Sequence, residues 1–202
     1  MFNGIVEATG QIENVYDENN CRYFTISSEK QFNDLKVDDS LSVNGVCLTI
    51  TQSQNNLFNV TAVPETLRLT NLQFLTKGSR VNLERAMQLN SRVSGHTMQG
   101  HVDAMGQILD IQNEGDALLV SIGMPSSLGN YIVNKGYIAL DGMSITVIRA
   151  EKNRFTVTLI PHTQNITIAR QYLVGTHINI EVDILGKYVE KILEARQTCE
   201  HT

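Results

Sequence analysis

A chain of 202 residues can form one large domain or two small ones, each able to bury a core. Apolar residues are 42% and charged residues 18%, which excludes a disordered, highly charged polymer. A net charge of -5 without tryptophan offers neither a basic face for duplex phosphates nor much of a stacking platform for single strands, so no nucleic-acid partner is expected.

The opening residues, MFNGIVEATG, lack a basic start followed by an apolar stretch, and Glu7 interrupts them; no secretory leader is expected. No apolar run reaches the roughly 18 residues of a membrane helix. Cys21, Cys47 and Cys199 are odd in number and widely spaced, neither a disulfide framework nor a zinc pattern. A soluble protein of the reducing cytoplasm, with no membrane partner, is the expectation.

In chain order, residues 41–51 are rich in Val, Ile, Leu and Thr and read as a strand broken by Asn44-Gly45. A turn at Asn55-Asn56 leads to an alternating strand at 57–63. The pattern becomes helical between Pro64 and Leu75, with Thr70 a candidate N-cap, and alternation returns at 81–85. Residues 86–97 are polar and turn-rich, as a junction should be.

The same order then repeats. A shift of 97 sets residues 41–84 on 138–181 without a gap, with identity at Gly45, Thr49, Asn56, Phe58, Val60, Thr61, Pro64, Thr66, Thr70, Gly78, Asn82 and Glu84. Strands at 137–148, 154–160 and 177–183, a helical turn after Pro161 and a cap at Thr167 follow from it. A shift of 96 sets Gly4-Ile5-Val6 on Gly100-His101-Val102. One register held this long marks a tandem duplication. The expected architecture is all-β, two small antiparallel barrels spanning 1–97 and 98–185. From Leu185, apolar residues recur at Tyr188, Val189, Ile192 and Leu193, predicting an amphipathic helix of about ten residues inside a tail at 186–202. It could pack on its own barrel or against another copy.

The copies differ in polarity at a few matched positions, which suggests related pockets with different tasks. Cys47 faces Ser144, Asn44 faces Asp141, His101 faces Ile5, His162 faces Glu65, and Asn134-Lys135 faces Val37-Asp38. Thr49 and Thr146 stand two residues beyond Cys47 and Ser144, on the same strand face, giving each barrel a short row of thiol or hydroxyl groups suited to a polar heterocycle. The Gly of each Asn-Gly or Asp-Gly step marks a bulge or a close ligand approach. His96 and His101 are five apart, so a continuous strand would point them to opposite faces; His101, in a glycine-rich segment, is the stronger candidate. No GxSxG elbow surrounds Ser144, no HExxH is present, and no phosphate-cradling glycine loop appears.

Six segments together resemble riboflavin synthase, alpha chain: Met1 to Glu7, Ser42 to Thr49, Gly95 to Val102, Asp141 to Val147, Ile160 to Thr163 and Val182 to Glu190. The resemblance implies two six-stranded Greek-key barrels, a C-terminal helix that associates a homotrimer, and no metal or other cofactor. It implies dismutation of two molecules of 6,7-dimethyl-8-ribityllumazine to riboflavin and 5-amino-6-ribitylaminouracil, between one subunit's N-barrel and its neighbour's C-barrel. The resemblance also leaves room for association with lumazine synthase, which the sequence by itself does not decide. By motif match, Ser40, Cys47, Thr49, Ala62, Thr66, His101 and Val102 belong to the N-barrel side. Lys135, Asp141, Ser144, Thr146, Ile160, Thr163 and Asp183 belong to the C-barrel side, and His101, Cys47, Ser144 and Asp183 are the expected catalytic set. Asn3 and Gln164-Asn165 depart from the family pattern. Relatives of this fold in luminous bacteria bind a lumazine or flavin as a fluorophore without catalysis; intact Cys47-x-Thr49 and Ser144-x-Thr146 rows favour the enzyme.

Overall fold

The computed structural model describes residues 1–199. Each repeat supplies six strands. The first gives β1 (Ala8–Glu18), β2 (Cys21–Ser28), β3 (Ser40–Val43), β4 (Val46–Gln54), β5 (Leu57–Ala62) and β6 (Arg80–Arg85). The second gives β7 (Ala104–Glu114), β8 (Ala117–Gly123), β9 (Tyr137–Leu140), β10 (Met143–Ala150), β11 (Arg154–Leu159) and β12 (His177–Val182). The strands close into two antiparallel barrels, ordered β1-β2-β5-β4-β3-β6 and, equivalently, β7-β8-β11-β10-β9-β12.

Asn44-Gly45 and Asp141-Gly142 neither bulge nor kink a strand. Each is a two-residue hairpin turn, joining β3 to β4 and β9 to β10. Both residues of each pair have positive φ, 48° and 78° in the first and 45° and 83° in the second. Such turns follow the right-handed twist of the flanking strands, and Asn, Asp and Gly tolerate them best. The close approach anticipated at these glycines is to protein: a Cβ on Gly45 would lie 2.6 Å from the Gly142 amide nitrogen. The two turns therefore pack back to back where the barrels meet.

The barrel interiors are filled by matched side chains. Ile26, Leu41, Ile50, Phe58 and Val60 bury fully in the first, and Ile122, Ile138, Val147, Phe155 and Val157 in the second. Fully burying one such side chain is worth about 1.5–3 kcal/mol. Register shifts after Ile12, Ile50, Ile108 and Val147 bend the strands at equivalent points and help close both barrels. Strands β1 and β7 carry the weakest sequence signal, because their second halves are mostly polar and exposed, with only Val15 and Ile111 packing on the cores.

Two short helices, α1 (Pro64–Leu69) and α2 (Pro161–Ile166), begin on proline, which suits the first helical turn. A 3-10 turn follows each. The Thr167 hydroxyl caps its turn by accepting the Ala169 amide. Thr70 does not cap; its hydroxyl donates to the Thr66 carbonyl at 2.7 Å. Helix α3 (Ile184–Cys199) has 16 residues, longer than the apolar spacing indicated, because helix-tolerant polar residues continue it. Leu185, Tyr188, Val189, Ile192 and Leu193 remain 53–67% exposed, so its apolar stripe is not spent on its own barrel. His201 and the rest of 200–202 lie outside the described residues. Among those described, no helix is long and apolar enough to cross a membrane.

The segments that precede β1 and β7 exchange barrels. Val6, from the first repeat, is buried in the second barrel's core, and Val102, from the second, packs on the first barrel's core. The arms cross at a two-residue bridge: the Phe2 amide donates to the Met98 carbonyl at 2.8 Å, and Met98 returns the bond at 3.0 Å. Each barrel therefore takes one packing residue from across residue 97.

Candidate functional site

On β4, Leu48 and Ile50 point inward, so Cys47 and Thr49 stand on the outer face of the first barrel. Thr49 is paired with Ser40 across β3. On β10, Ser144 and Thr146 occupy the matching outer positions, and Thr146 is paired with Tyr137. Cys47 and Ser144 are half-buried, while Thr49 and Thr146 are exposed. Ala62 ends β5, the strand beside β4, and Thr66 follows in α1; Thr163 is the counterpart of Thr66 in α2, and Ile160, which matches Val63, directly precedes that helix.

The exchanged arms lie across these rows. The Cys47 amide donates to the Gly100 carbonyl at 2.8 Å, and the Ser144 amide to the Gly4 carbonyl at 2.8 Å. Glycine is required at both contacts. Gly4 and Gly100 have positive φ, and an added Cβ would fall 2.5 Å from the Ser144 Cβ or 2.7 Å from the Cys47 Cβ. His101 follows Gly100 and is exposed beside the Cys47 row, and Ile5 takes the equivalent place beside the Ser144 row.

The rows differ in what backs them. His96 Nδ1 lies 2.7 Å from the Ser144 hydroxyl, and its ring stacks on Tyr137 with centroids 5.3 Å apart. Burial holds the imidazole below its ordinary value, so it is neutral at physiological pH, although the Asp183 charge pulls the other way. A neutral imidazole can take a proton from the hydroxyl it touches. His96 is the residue that sequence reasoning passed over. The five-residue spacing opposes it to His101 only on a continuous strand, whereas 97–103 form an arm with a single bridge.

Other expected residues fall in several places. Asp183 stands at the start of α3, where its carboxylate accepts the Leu185 amide at 3.0 Å, and its charge reaches His96. Lys135 is exposed in a turn with φ of 66°, and Asp38 repeats that geometry in the first barrel. Asp141 is fully occupied elsewhere. Its carboxylate accepts from Asn71 Nδ2 at 2.9 Å, the Asn179 amide at 2.8 Å and the Tyr172 hydroxyl at 2.7 Å. Burial pushes it up to about 7, although these three donors favour the carboxylate. With Asn44, Asn82 and Asn179 it forms a buried network joining the barrels, at the wall of the cavity between them and away from the Ser144 row.

A cavity of about 370 Å3 sits between the barrels, lined by Phe74, Asp141, Tyr172 and His177. Another of about 350 Å3 lies beside Asn3, Glu7 and Glu84. Neither encloses the rows. Two outer walls of small polar side chains, each crossed by an arm from the other repeat, are thus open toward solvent in the single chain.

A family model of the lumazine binding domain matches the chain twice, over residues 3–86 and 99–183. The chain is 42% identical over 193 residues to riboflavin synthase of Bacillus subtilis, covering 96% of this chain and 90% of that one. It is 41% identical over 198 residues to riboflavin synthase of Schizosaccharomyces pombe, covering 96% and 95%. Among solved structures, LumP complexed with riboflavin superposes with a TM-score of 0.82 at 21% identity, over 91% of this chain and 100% of that chain, which shows a shared fold. LumP complexed with 6,7-dimethyl-8-(1'-D-ribityl) lumazine gives 0.80 at 20%, over 91% and 99%. With two lumazine-binding domains and relatives this similar over nearly its whole length, the chain belongs to the riboflavin synthase family.

Proposed function

We propose that the protein converts two molecules of 6,7-dimethyl-8-ribityllumazine into one riboflavin and one 5-amino-6-ribitylaminouracil, four carbons passing from donor to acceptor. The observation that carries this reading is the doubled outer row. One ligand used twice needs two related walls, and Cys47 with Thr49 and Ser144 with Thr146 supply them on the two barrels.

The rows are shallow, so a second surface must close each. The N-barrel of one subunit facing the C-barrel of the next would do this and would bring the two ligands together. The exposed apolar stripe of α3 supports a homotrimer that sets this pairing. A cytoplasmic location and association with lumazine synthase belong to the same reading.

Within the site, the roles follow from the neighbours. Ser144, backed by neutral His96, is suited to add to C7 of the donor ring or direct water onto it; Cys47 is the thiol alternative on the other wall. His101, exposed beside the Cys47 row, is suited to remove a proton from the C7 methyl group of the acceptor. Ser40, Thr49, Thr66, Val102 and the backbone of Ala62, whose methyl group is buried in the first core, on one side, and Lys135, Thr146, Ile160 and Thr163 on the other, hold the rings and ribityl chains. Asp183 acts through its charge on His96.

The test is direct. Purified protein mixed with the lumazine should produce riboflavin absorbance, with two lumazines consumed per riboflavin formed. Lumazine that binds but stays unchanged would make this a binding protein instead.

A further inference from the structure

Glu84 and Glu181 occupy equivalent positions on β6 and β12 and are identical in the two repeats. Both are buried, at 4% exposure each, and neither touches the thiol and hydroxyl rows. Each carboxylate spends its two oxygens on two consecutive amides of an arm. Glu84 accepts from Asn3 at 2.7 Å and Gly4 at 3.1 Å. Glu181 accepts from Gln99 at 2.7 Å and Gly100 at 2.9 Å.

The next contacts cross the barrel boundary. Gly4, held by β6 of the first barrel, gives its carbonyl to Ser144 on the second. Gly100, held by β12 of the second barrel, gives its carbonyl to Cys47 on the first. We infer that Glu84 and Glu181 are positioning residues wired in opposition: Glu84, in the first barrel, sets the Ser144 wall of the second, and Glu181, in the second, sets the Cys47 wall of the first.

Physical chemistry favours a carboxylate in this role. In the ionised form, two fixed acceptor oxygens match two successive N–H groups, and charge-assisted bonds are roughly twice as strong as neutral ones. Glutamine offers one acceptor and turns its amide donors toward the second N–H. The first arm also borders the 350 Å3 cavity beside Asn3 and Glu84, so close packing alone does not fix it there. The device makes each site depend on both halves of the chain, which places the two walls in a common frame before any ligand arrives.

This inference rests on the reading of the rows as the two lumazine walls, and its test uses probes that need no turnover. In full-length protein, Cys47 alkylation by iodoacetamide is followed by peptide mass spectrometry, and the His96 ring by NMR of labelled imidazole. Glu181→Gln should speed Cys47 alkylation about tenfold or more and move the His96 resonances less than Glu84→Gln does, since His96 lies only three residues before the Gln99 amide that Glu181 holds. Glu84→Gln should shift the His96 resonances most and change Cys47 alkylation less than Glu181→Gln does, since Phe2, next to the clamped Asn3, packs beside Cys47. In the enzyme assay both variants should lose kcat, by up to about a hundredfold for a wall displaced by about 1 Å, with a smaller change in KM. Glu84→Asp and Glu181→Asp, which keep the charge, should restore part of it. Should a Gln variant fail to fold, the Asp variant carries the same crossed pattern at smaller amplitude. An uncrossed pattern, equal effects on both probes, or no effect on either overturns the wiring. Wild-type protein that makes no riboflavin would overturn the lumazine reading alone.

Discussion

The two barrels share a topology, a pair of hairpin turns and an outer polar row, yet they differ in how that row is backed. In the second barrel, the Ser144 hydroxyl rests against a buried neutral imidazole stacked on Tyr137. In the first, Cys47 packs against Phe2 and Met98. Across the exchanged arms the difference runs the other way: the arm beside Cys47 carries a titratable His101, while the arm beside Ser144 carries Ile5. Duplication thus supplied two like walls, and a handful of substitutions gave each a different chemistry.

The largest expected effect falls on the residue that makes the arms unlike. His101→Gln should lower turnover by about 10²–10⁴-fold, the usual worth of a placed proton acceptor, while ligand binding stays nearly intact. Exchange of the C7 methyl protons into deuterium oxide, followed by NMR, should slow in parallel. Loss of turnover with methyl exchange unchanged would mean that His101 positions rather than accepts.

The threonines probe what the walls have in common. Thr146→Val removes a hydroxyl to a polar ligand, worth about 1–3 kcal/mol, and should weaken lumazine binding by roughly ten- to hundredfold in a fluorescence titration. Thr49→Val should do the same at the other wall. An effect from one and none from the other would show that a single barrel holds ligand.

A smaller effect sharpens the comparison through pH. Burial raises Glu84 to about 7 against its backbone donors, and the neighbouring negative charge of Glu7 adds to the rise. Glu7 itself is bound to Arg85, which also holds Asp34. Burial raises Glu181 as well, with Asp103 adding to the rise and Lys187 opposing it. The folded state then holds these protons more tightly than the unfolded chain does. The associated stability is present below the ordinary carboxylate range, near 4.5 for Glu84, and is lost as pH rises through about 7. Asp141 acts in the same direction, and His96, lowered by burial, opposes it below its ordinary value of 6.5. Urea midpoints should therefore fall from pH 5 to pH 8, and Glu84→Gln should flatten that slope. A wild-type slope retained in the variant would remove Glu84 as a contributor.

Much of this was legible in the sequence because a duplication repeats its own pattern. The shift of 97 locates both barrels, the Pro-initiated helical turns and the row from Cys47 to Thr49 with its twin. The exchange of arms was not legible, since Val6 and Val102 are apolar residues in short segments that would suit either core. Differences between the copies also mislead where they serve docking: Asp141 and Asn44 differ because one accepts from Tyr172 and Asn71 while the other bonds along the Asn82 chain. The clamping glutamates escaped notice for the converse reason, being the same in both repeats. His96 lacks a counterpart in the first repeat, because a shift of 96 aligns Thr97 with Met1.

The central claim is that each barrel presents one wall for one lumazine. Calorimetric titration with a ribityllumazine lacking the C7 methyl group, which cannot be deprotonated there, tests it most directly. The account predicts two ligands bound per chain with unequal affinities, the weaker abolished by changes in one row and the stronger by changes in the other. One ligand per chain, insensitive to either the Cys47 row or the Ser144 row, would contradict it.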